Sequence, residues 1–313
     1  MKSSISICIP TFQRPEFLKE ALDSVMEQSL QPIEIVIGDD SNDDITEKLI
    51  LNIKKEYKIP IFYTRHSPSL GQAENINFLY QAAQGDKIVL LHDDDLLLPT
   101  SLDDLDSCWD LHPSLVAAYG KQYFISEEGT IDLALSSELN QMYFRASDNA
   151  GLQKSSLAAA VLHQFPNDGF MILASTAKAV KLRSDEEVGN AVDFDFGLRL
   201  SFKYENFFFL DKYTAKCRST ENSVSGSHND DSAFKTFYLI QNTDFPADLI
   251  WAKEHELKRQ AAYSIIQLIN CDRKKEALDI YFSKYYPLSK RLSIRGIRRL
   301  LKALLPRSIE KFI

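Results

Sequence analysis

Lys87-Ile-Val-Leu-Leu-His-Asp-Asp-Asp-Leu-Leu-Leu-Pro99 decides the fold. From Lys87 to Leu91 the chain is a nearly continuous apolar run. That pattern belongs to a strand buried on both faces of a parallel sheet. The run ends at adjacent carboxylates, Asp93, Asp94 and Asp95. Such neighbours repel one another and stay ionised together only beside a cation. Ligands of open α/β sheets bind at the carboxyl ends of strands. Hard oxygens there suit a divalent ion that holds a diphosphate. Taken alone, the same acids also read as a solvated turn capping a helix that starts near Pro99.

Upstream, Ile5 to Ile9 is a β-branched run that stops at Pro10-Thr-Phe-Gln-Arg14. Pro15 and Glu16 open a helix, because proline is tolerated in a first turn. Phe17, Leu18, Ala21, Leu22, Val25 and Met26 then recur at helical spacing. Pro32 breaks the pattern, and Ile33-Glu-Ile-Val-Ile37 is a second strand ending at Gly38-Asp-Asp. Strand, helix, strand in this short span is a βαβ unit, so the two strands are expected to run parallel. A helix from Ile45 to Tyr57, a strand from Ile59 to Tyr63 and a helix from Gly71 to Ala83 follow, the last ended by Gly85 as a C′ glycine.

Downstream, the pattern predicts a helix over Pro99 to Leu111 and a strand over Val116 to Ile125. It continues with a strand over Phe170 to Ala174, a helix over Val192 to Phe202 and a strand over Phe207 to Leu210. Beyond Asp231 it is helical. The alternation implies an α/β fold, Rossmann-like, with a mostly parallel sheet flanked by helices and a C-terminal helical extension. The expected division is 1–230 for the main domain and 231–313 for the extension.

The chain of 313 residues is 44% hydrophobic and 26% charged, an ordinary globular composition. Its net charge is -8, unevenly spread. From Lys284 onward nine basic residues face one acid, Glu310, which leaves an acidic body carrying a basic tail. An acidic body argues against nonspecific nucleic-acid binding. Cys8, Cys108, Cys217 and Cys271 are widely separated. They suggest neither a zinc site nor a disulfide framework, so a reducing cytoplasm is expected. Met1-Lys-Ser-Ser leads almost directly to Pro10, so no signal peptide is expected. No apolar run approaches the roughly 20 residues of a membrane span.

Strands of one parallel sheet point the same way. Pro10 and Thr11, Asp39 and Asp40, and Asp93 to Asp95 should therefore lie along one rim, where they could hold the two ends of a nucleotide diphosphate and its metal.

These stretches, with Gly71 to Gly85, His92 to Pro99 and Val192-Asp-Phe-Asp-Phe-Gly-Leu-Arg-Leu200, resemble the inverting nucleotide-sugar glycosyltransferases of glycosyltransferase family 2, with the GT-A fold. The resemblance covers about residues 4 to 225. It implies a hexosyltransferase-type enzyme in which Pro10, Thr11, Phe12 and Asp40 hold the nucleotide, with Arg14 approaching the donor. Asn77 matches a family Asn on the third helix, although Ile76 stands where the family often carries Arg. Asp94 falls on the metal ligand, Asp93 where the ribose is held and Asp95 next to both, with Mn2+ or Mg2+ as cofactor. His92 stands where relatives are often acidic, and is expected to be packed under the site and not a metal ligand. Counting back from Arg199 puts the general base at Asp193. Asp195 would face another side of that helix. Where the family often carries a His after Arg218 this chain has Thr220; water could fill the gap, His228 could supply the imidazole, or the enzyme is slow.

The tail reads as a basic amphipathic helix. Leu292, Ile294, Ile297, Leu300, Leu301, Leu304 and Leu305 alternate with Arg291, Arg295, Arg298, Arg299 and Lys302. Such a helix can lie on anionic lipid or pack on the domain with its basic face in water. The expected protein moves a sugar, from a UDP-sugar, to a hydroxyl of a bacterial envelope glycan or its lipid-linked precursor, at the inner face of the cell membrane. The alternatives are a non-catalytic sugar-nucleotide-binding or scaffold protein, and a sugar nucleotidyltransferase. The last would carry a glycine-rich loop after the first strand, and Pro10 to Pro15 has no glycine.

Overall fold

The computed structural model describes residues 3–220 and 230–305. These fall into two compact units, 3–185 with 196–220, and 186–195 with 230–305.

The first unit opens with β1 (Ile5–Thr11), α1 (Pro15–Met26), β2 (Glu34–Asp39), α2 (Ile45–Ile53), β3 (Ile61–Arg65), α3 (Gln72–Ala82) and β4 (Lys87–Leu90). After the acid turn come β5 (Leu96–Leu97), α4 (Ser101–Asp106), α5 (Cys108–Leu111), β6 (Ala117–Ile125), β7 (Ile131–Asp132) and α6 (Leu133–Met142). Then follow β8 (Gly151–Leu152), α7 (Ser156–Val161), β9 (Met171–Leu173), α8 (Ala174–Val180), α9 (Asp185–Val188), of which only Asp185 belongs to this unit, α10 (Val192–Lys203), of which 196–203 do, and β10 (Phe207–Arg218).

One sheet runs in the order β3-β2-β1-β4-β9-β6-β10-β5. The strands β1 to β4 are mutually parallel, with Thr11 level with Asp39. Between β4 and β6 lies β9, antiparallel to both. Chain progression reverses at β1, which sits between β2 and β4, so a crevice opens at their carboxyl ends. Ile7, Ile9, Ile35, Ile37, Val89 and Leu91 pack with Leu18, Leu22 and Val25 of α1, all without exposed surface. Each such side chain contributes about 1.5–3 kcal/mol by leaving water. This core fixes the rim from which the acids project.

Several local expectations are corrected. Gly85 does not cap α3, whose C-cap is Ala83. A Cβ at Gly85 would lie 2.7 Å from the backbone nitrogen of Ser6, so close approach to β1 demands glycine. The helix expected over Pro99 to Leu111 divides into α4 and α5 at Ser107. α2 stops at Ile53, short of Tyr57. β10 reaches Arg218 instead of stopping at Leu210. Its irregular pairing between Phe209 and Ala215 leaves Asp211 and Lys212 exposed, which interrupts the apolar pattern.

The second unit is helical: α11 (Ser232–Asn242), α12 (Ile250–Asn270), α13 (Lys274–Phe282), α14 (Leu288–Arg291) and α15 (Ile294–Leu304). Phe234, Phe237 and Ile240 of α11 and Leu257, Ile265 and Leu268 of α12 are buried. The Gln267 side-chain oxygen accepts the N–H groups of Ala233 and Phe234, satisfying the first turn of α11. α15 buries only small residues, Gly296 and Ala303. Ile294, Ile297, Leu301 and Leu304 are 74%, 47%, 38% and 60% exposed. Among the described residues no helix is long and apolar enough to cross a membrane.

Candidate active site

The rim is built from three strand ends. At the end of β1, the Thr11 hydroxyl donates to Asp93 Oδ2 at 2.7 Å, and the Phe12 N–H reaches the same oxygen at 3.3 Å. Gln13 has a φ of 54°, an uncommon left-handed conformation for a non-glycine residue, and its N–H donates to the Ser41 hydroxyl oxygen at 2.7 Å. Arg14 stands at the N-cap of α1, with Nη1 2.6 Å from Asp94 Oδ2 and 3.6 Å from Asp93 Oδ1. Phe12 is exposed and Pro10 half-buried.

At the end of β2, Asp39 is fully buried. It accepts the Ser41 N–H at 2.8 Å and the Tyr63 hydroxyl at 2.7 Å. Burial and this carboxylate push the Tyr63 hydroxyl well up from its usual range. Asp40 donates its N–H to the Thr11 carbonyl and accepts the Leu70 N–H at 3.0 Å. Asp39 therefore braces the rim, while Asp40 ties β1 to the segment before α3.

The acid turn after β4 is held from below. Arg218 donates its N–H to Asp95 Oδ1 at 2.7 Å, its Nε to the Asp94 carbonyl at 2.9 Å, and Nη1 to the Glu127 carbonyl at 2.5 Å. Its Nη2 meets the Glu20 carboxylate at 2.5 Å. The buried Asp168 accepts the His92 N–H at 3.2 Å and a Gln122 amide N–H at 3.3 Å. Gln122 in turn accepts from Arg145 at 2.7 Å. Burial pulls that guanidinium down to about 10. Gly169, at a φ of 68°, follows Asp168. A Cβ there would come 2.9 Å from the Ala215 side chain, so both conformation and space require glycine. Burial, with Asp94 alongside, raises Asp93 to about 6. Burial and the Asp168 carboxylate raise Asp95 well above the usual range.

His92, expected under the site, is partly exposed. Its ring and the carboxylates of Asp94 and Asp95 each offer a ligand atom, all within 4.8 Å of one another. One imidazole nitrogen and two carboxylate oxygens suit a divalent ion of the Mn2+ type. The guanidinium on Asp94 marks the turn as a place where positive charge is held. The residues present fit the group.

The remaining expected residues are spread more widely. Asn77 is buried, and its amide both donates to the Leu182 carbonyl at 3.0 Å and accepts the Leu182 N–H at 2.7 Å. That clamp fixes the chain after α8. Arg199, the register marker, donates to the carbonyls of Val180 and Lys181 at the end of the same helix. Asp193 is partly exposed in the first turn of α10, and Asp195 is 1% exposed. Both belong to the second unit. Thr220 is buried, with no hydrogen-bond partner for its hydroxyl among the described residues. His228 lies outside the described residues.

Residues 6–162, half of the chain, match the family described as Glycosyl transferase family 2. The chain belongs to this family. This family 2 glycosyltransferase is 39% identical over 100 residues to the abequosyltransferase RfbV of Salmonella typhimurium, over 31% of this chain and 30% of that one. It is 30% identical over 101 residues to a GalNAc(5)-diNAcBac-PP-undecaprenol beta-1,3-glucosyltransferase of Campylobacter jejuni, over 32% of this chain and 33% of that one. The match thus spans about a third of each of these relatives. In fold it is similar to S. aureus TarS 1-349 in complex with UDP-GlcNAc, at a TM-score of 0.62 and 17% identity, over 96% of this chain and 79% of that one. It is also similar to the mannosyltransferase PcManGT of Pyrobaculum calidifontis in complex with GDP-Man and Mn2+, at a TM-score of 0.57 and 13% identity, over 100% of this chain and 88% of that one. The fold is GT-A.

Proposed function

We propose that this glycosyltransferase is metal-dependent and inverting, and moves a sugar from a UDP-linked donor to an acceptor hydroxyl of a bacterial envelope polysaccharide or lipid-linked glycan. The observation that carries the reading is the rim itself. Thr11, Asp40 and Asp93 to Asp95 stand on neighbouring strand ends, and the Arg14 guanidinium lies on Asp94. Residues 1–230 would form the catalytic domain, with 231–313 as its extension.

Pro10, Thr11, Phe12 and Asp40 would hold base and ribose, with Asp93 fixed toward the ribose by Thr11. Asp94, Asp95 and His92 would hold the divalent ion. When bound, that ion neutralises charge developing on the departing diphosphate. Asp193 would take the proton of the acceptor hydroxyl as it attacks the anomeric carbon. One in-line displacement then inverts that centre. Partial exposure of Asp193 supports it over the buried Asp195. Asn77, bonded to Leu182, would support the donor site through the chain it clamps.

The membrane part of the reading rests on α15. A helix that packed on the protein through its apolar stripe would bury that stripe, but here Ile294, Ile297, Leu301 and Leu304 remain in water. Arg295, Arg298, Arg299 and Lys302 adjoin them, the pairing that binds anionic lipid from the side. The protein would then act in the cytoplasm at the inner face of the membrane, where lipid-linked acceptors are presented. The experiment for the donor is a thermal-shift series of nucleotide sugars with and without Mn2+. Stabilisation by a uridine nucleotide only with the metal is expected. Equal shifts in chelator would sink the reading.

A further inference from the structure

We infer that Arg14 is an internal counter-ion of the acid turn, which a divalent ion displaces from Asp94 and which then becomes a ligand of the donor diphosphate. This rests on the metal and donor reading above. Asp94 Oδ2 takes Arg14 Nη1 at 2.6 Å, and Asp94 is also one of the residues grouped as possible ion ligands. A guanidinium and a divalent ion seated on the same Asp94 oxygen repel at short range, so each weakens the other's hold on it. The ion therefore competes with Arg14 for Asp94.

The backbone around Arg14 favours exchange by the side chain alone. Phe12 and Gln13 are tied by their N–H groups to Asp93 and Ser41, so the turn has fixed anchors on both neighbouring strand ends. The Arg14 side chain is 26% exposed, against 12% and 8% for Asp94 and Asp93, so its outer part can turn toward solvent while its base stays in place. A diphosphate is the natural new partner, since the planar guanidinium matches phosphate oxygens in paired hydrogen bonds. The exchange leaves each anionic group with a positive neighbour at each stage. Without ligands Arg14 offsets the acids. With ion and nucleotide bound, the ion offsets the acids and Arg14 offsets the diphosphate.

The test measures Mn2+ binding by electron paramagnetic resonance, and UDP binding by calorimetry at saturating Mn2+, for the parent, Arg14→Gln, Arg14→Lys and Asp94→Ala. Circular dichroism confirms that each variant is folded. Arg14→Gln should bind Mn2+ about fivefold more tightly without nucleotide, the upper range for a partly exposed charge pair. It should bind UDP about tenfold more weakly, the scale of a charge-assisted hydrogen bond. Arg14→Lys, which keeps the charge, should bind Mn2+ as the parent does. If Asp94→Ala loses Mn2+ while Arg14→Gln binds it unchanged or more weakly, the exchange is wrong and the metal site stands. If Asp94→Ala binds Mn2+ like the parent, the metal reading fails and takes the exchange with it.

Discussion

Replacing Arg218 by methionine keeps its aliphatic bulk and removes the guanidinium beneath the acid turn. Three partners lose a donor: the Asp94 carbonyl, the Glu127 carbonyl and the Glu20 carboxylate. A hydrogen bond contributes about 1 kcal/mol net, and a stranded buried carbonyl costs a further ~1–3 kcal/mol. Only Asp94 is nearly buried, so that larger cost applies once. Glu20 is half exposed, so its ion pair adds little. The sum is about 3–5 kcal/mol, a fall in Tm on the order of 6–20 °C at ~2–4 °C per kcal/mol. Loss of the Nε bond also frees the backbone between Asp94 and Asp95. Mn2+ affinity should therefore drop by about tenfold, as when a group orienting a metal ligand is removed. Calorimetric melting and Mn2+ titration of Arg218→Met test both figures. An unchanged Tm with unchanged Mn2+ affinity would refute the role given to Arg218.

Other consequences follow from single groups. The Asp93 carboxyl is raised from 3.8 to about 6, so the folded chain holds its proton more tightly than the unfolded chain does. Its contribution to stability is present below pH 4 and falls by about 3 kcal/mol as pH rises toward about 6. Asp93→Asn should flatten Tm against pH across that window in metal-free protein, and an identical slope in both proteins would contradict this. Asp193→Asn should leave donor and Mn2+ affinity near the parent while single-turnover transfer falls about 10²-fold or more. Asp195→Asn should act mainly on stability, and a full rate in Asp193→Asn would move the base elsewhere. Changing the exposed Ile294, Ile297 and Leu301 together to glutamine should alter stability by about 0.5 kcal/mol at most per site. It should also remove cosedimentation with anionic vesicles, and undiminished vesicle binding would refute the membrane role of α15.

The parallel half of the sheet was legible because its strands are continuous apolar runs that end in polar turns. Lys87 to Leu91 led to β4, and Ile33 to Ile37 to β2, within two residues of their ends. Asp93, Asp94 and Asp95 were legible as a cluster because three carboxylates at a strand end demand a counter-charge. Less legible was what holds the turn from below. Arg218 lies 124 positions from Asp94, at the end of a strand whose middle is polar and irregular. Asp168 was a lone acid ahead of a short strand, with no spacing to tie it to His92. Its only signal was a charge beside glycine just ahead of the apolar run from Phe170. Asn77 and Gly85 carried readable residue types, but their partners, Leu182 and Ser6, are set by tertiary approach that periodicity does not encode.

The most direct test of metal-dependent inverting transfer needs no known acceptor. UDP-glucose and UDP-N-acetylglucosamine, both α-linked, are incubated with the protein, water serving as acceptor, and the anomeric proton of the released sugar is followed by NMR before mutarotation. The account predicts that the β-anomer appears first, that release stops in chelator and that added Mn2+ restores it. First appearance of the α-anomer, or release at the same rate in chelator, would contradict it.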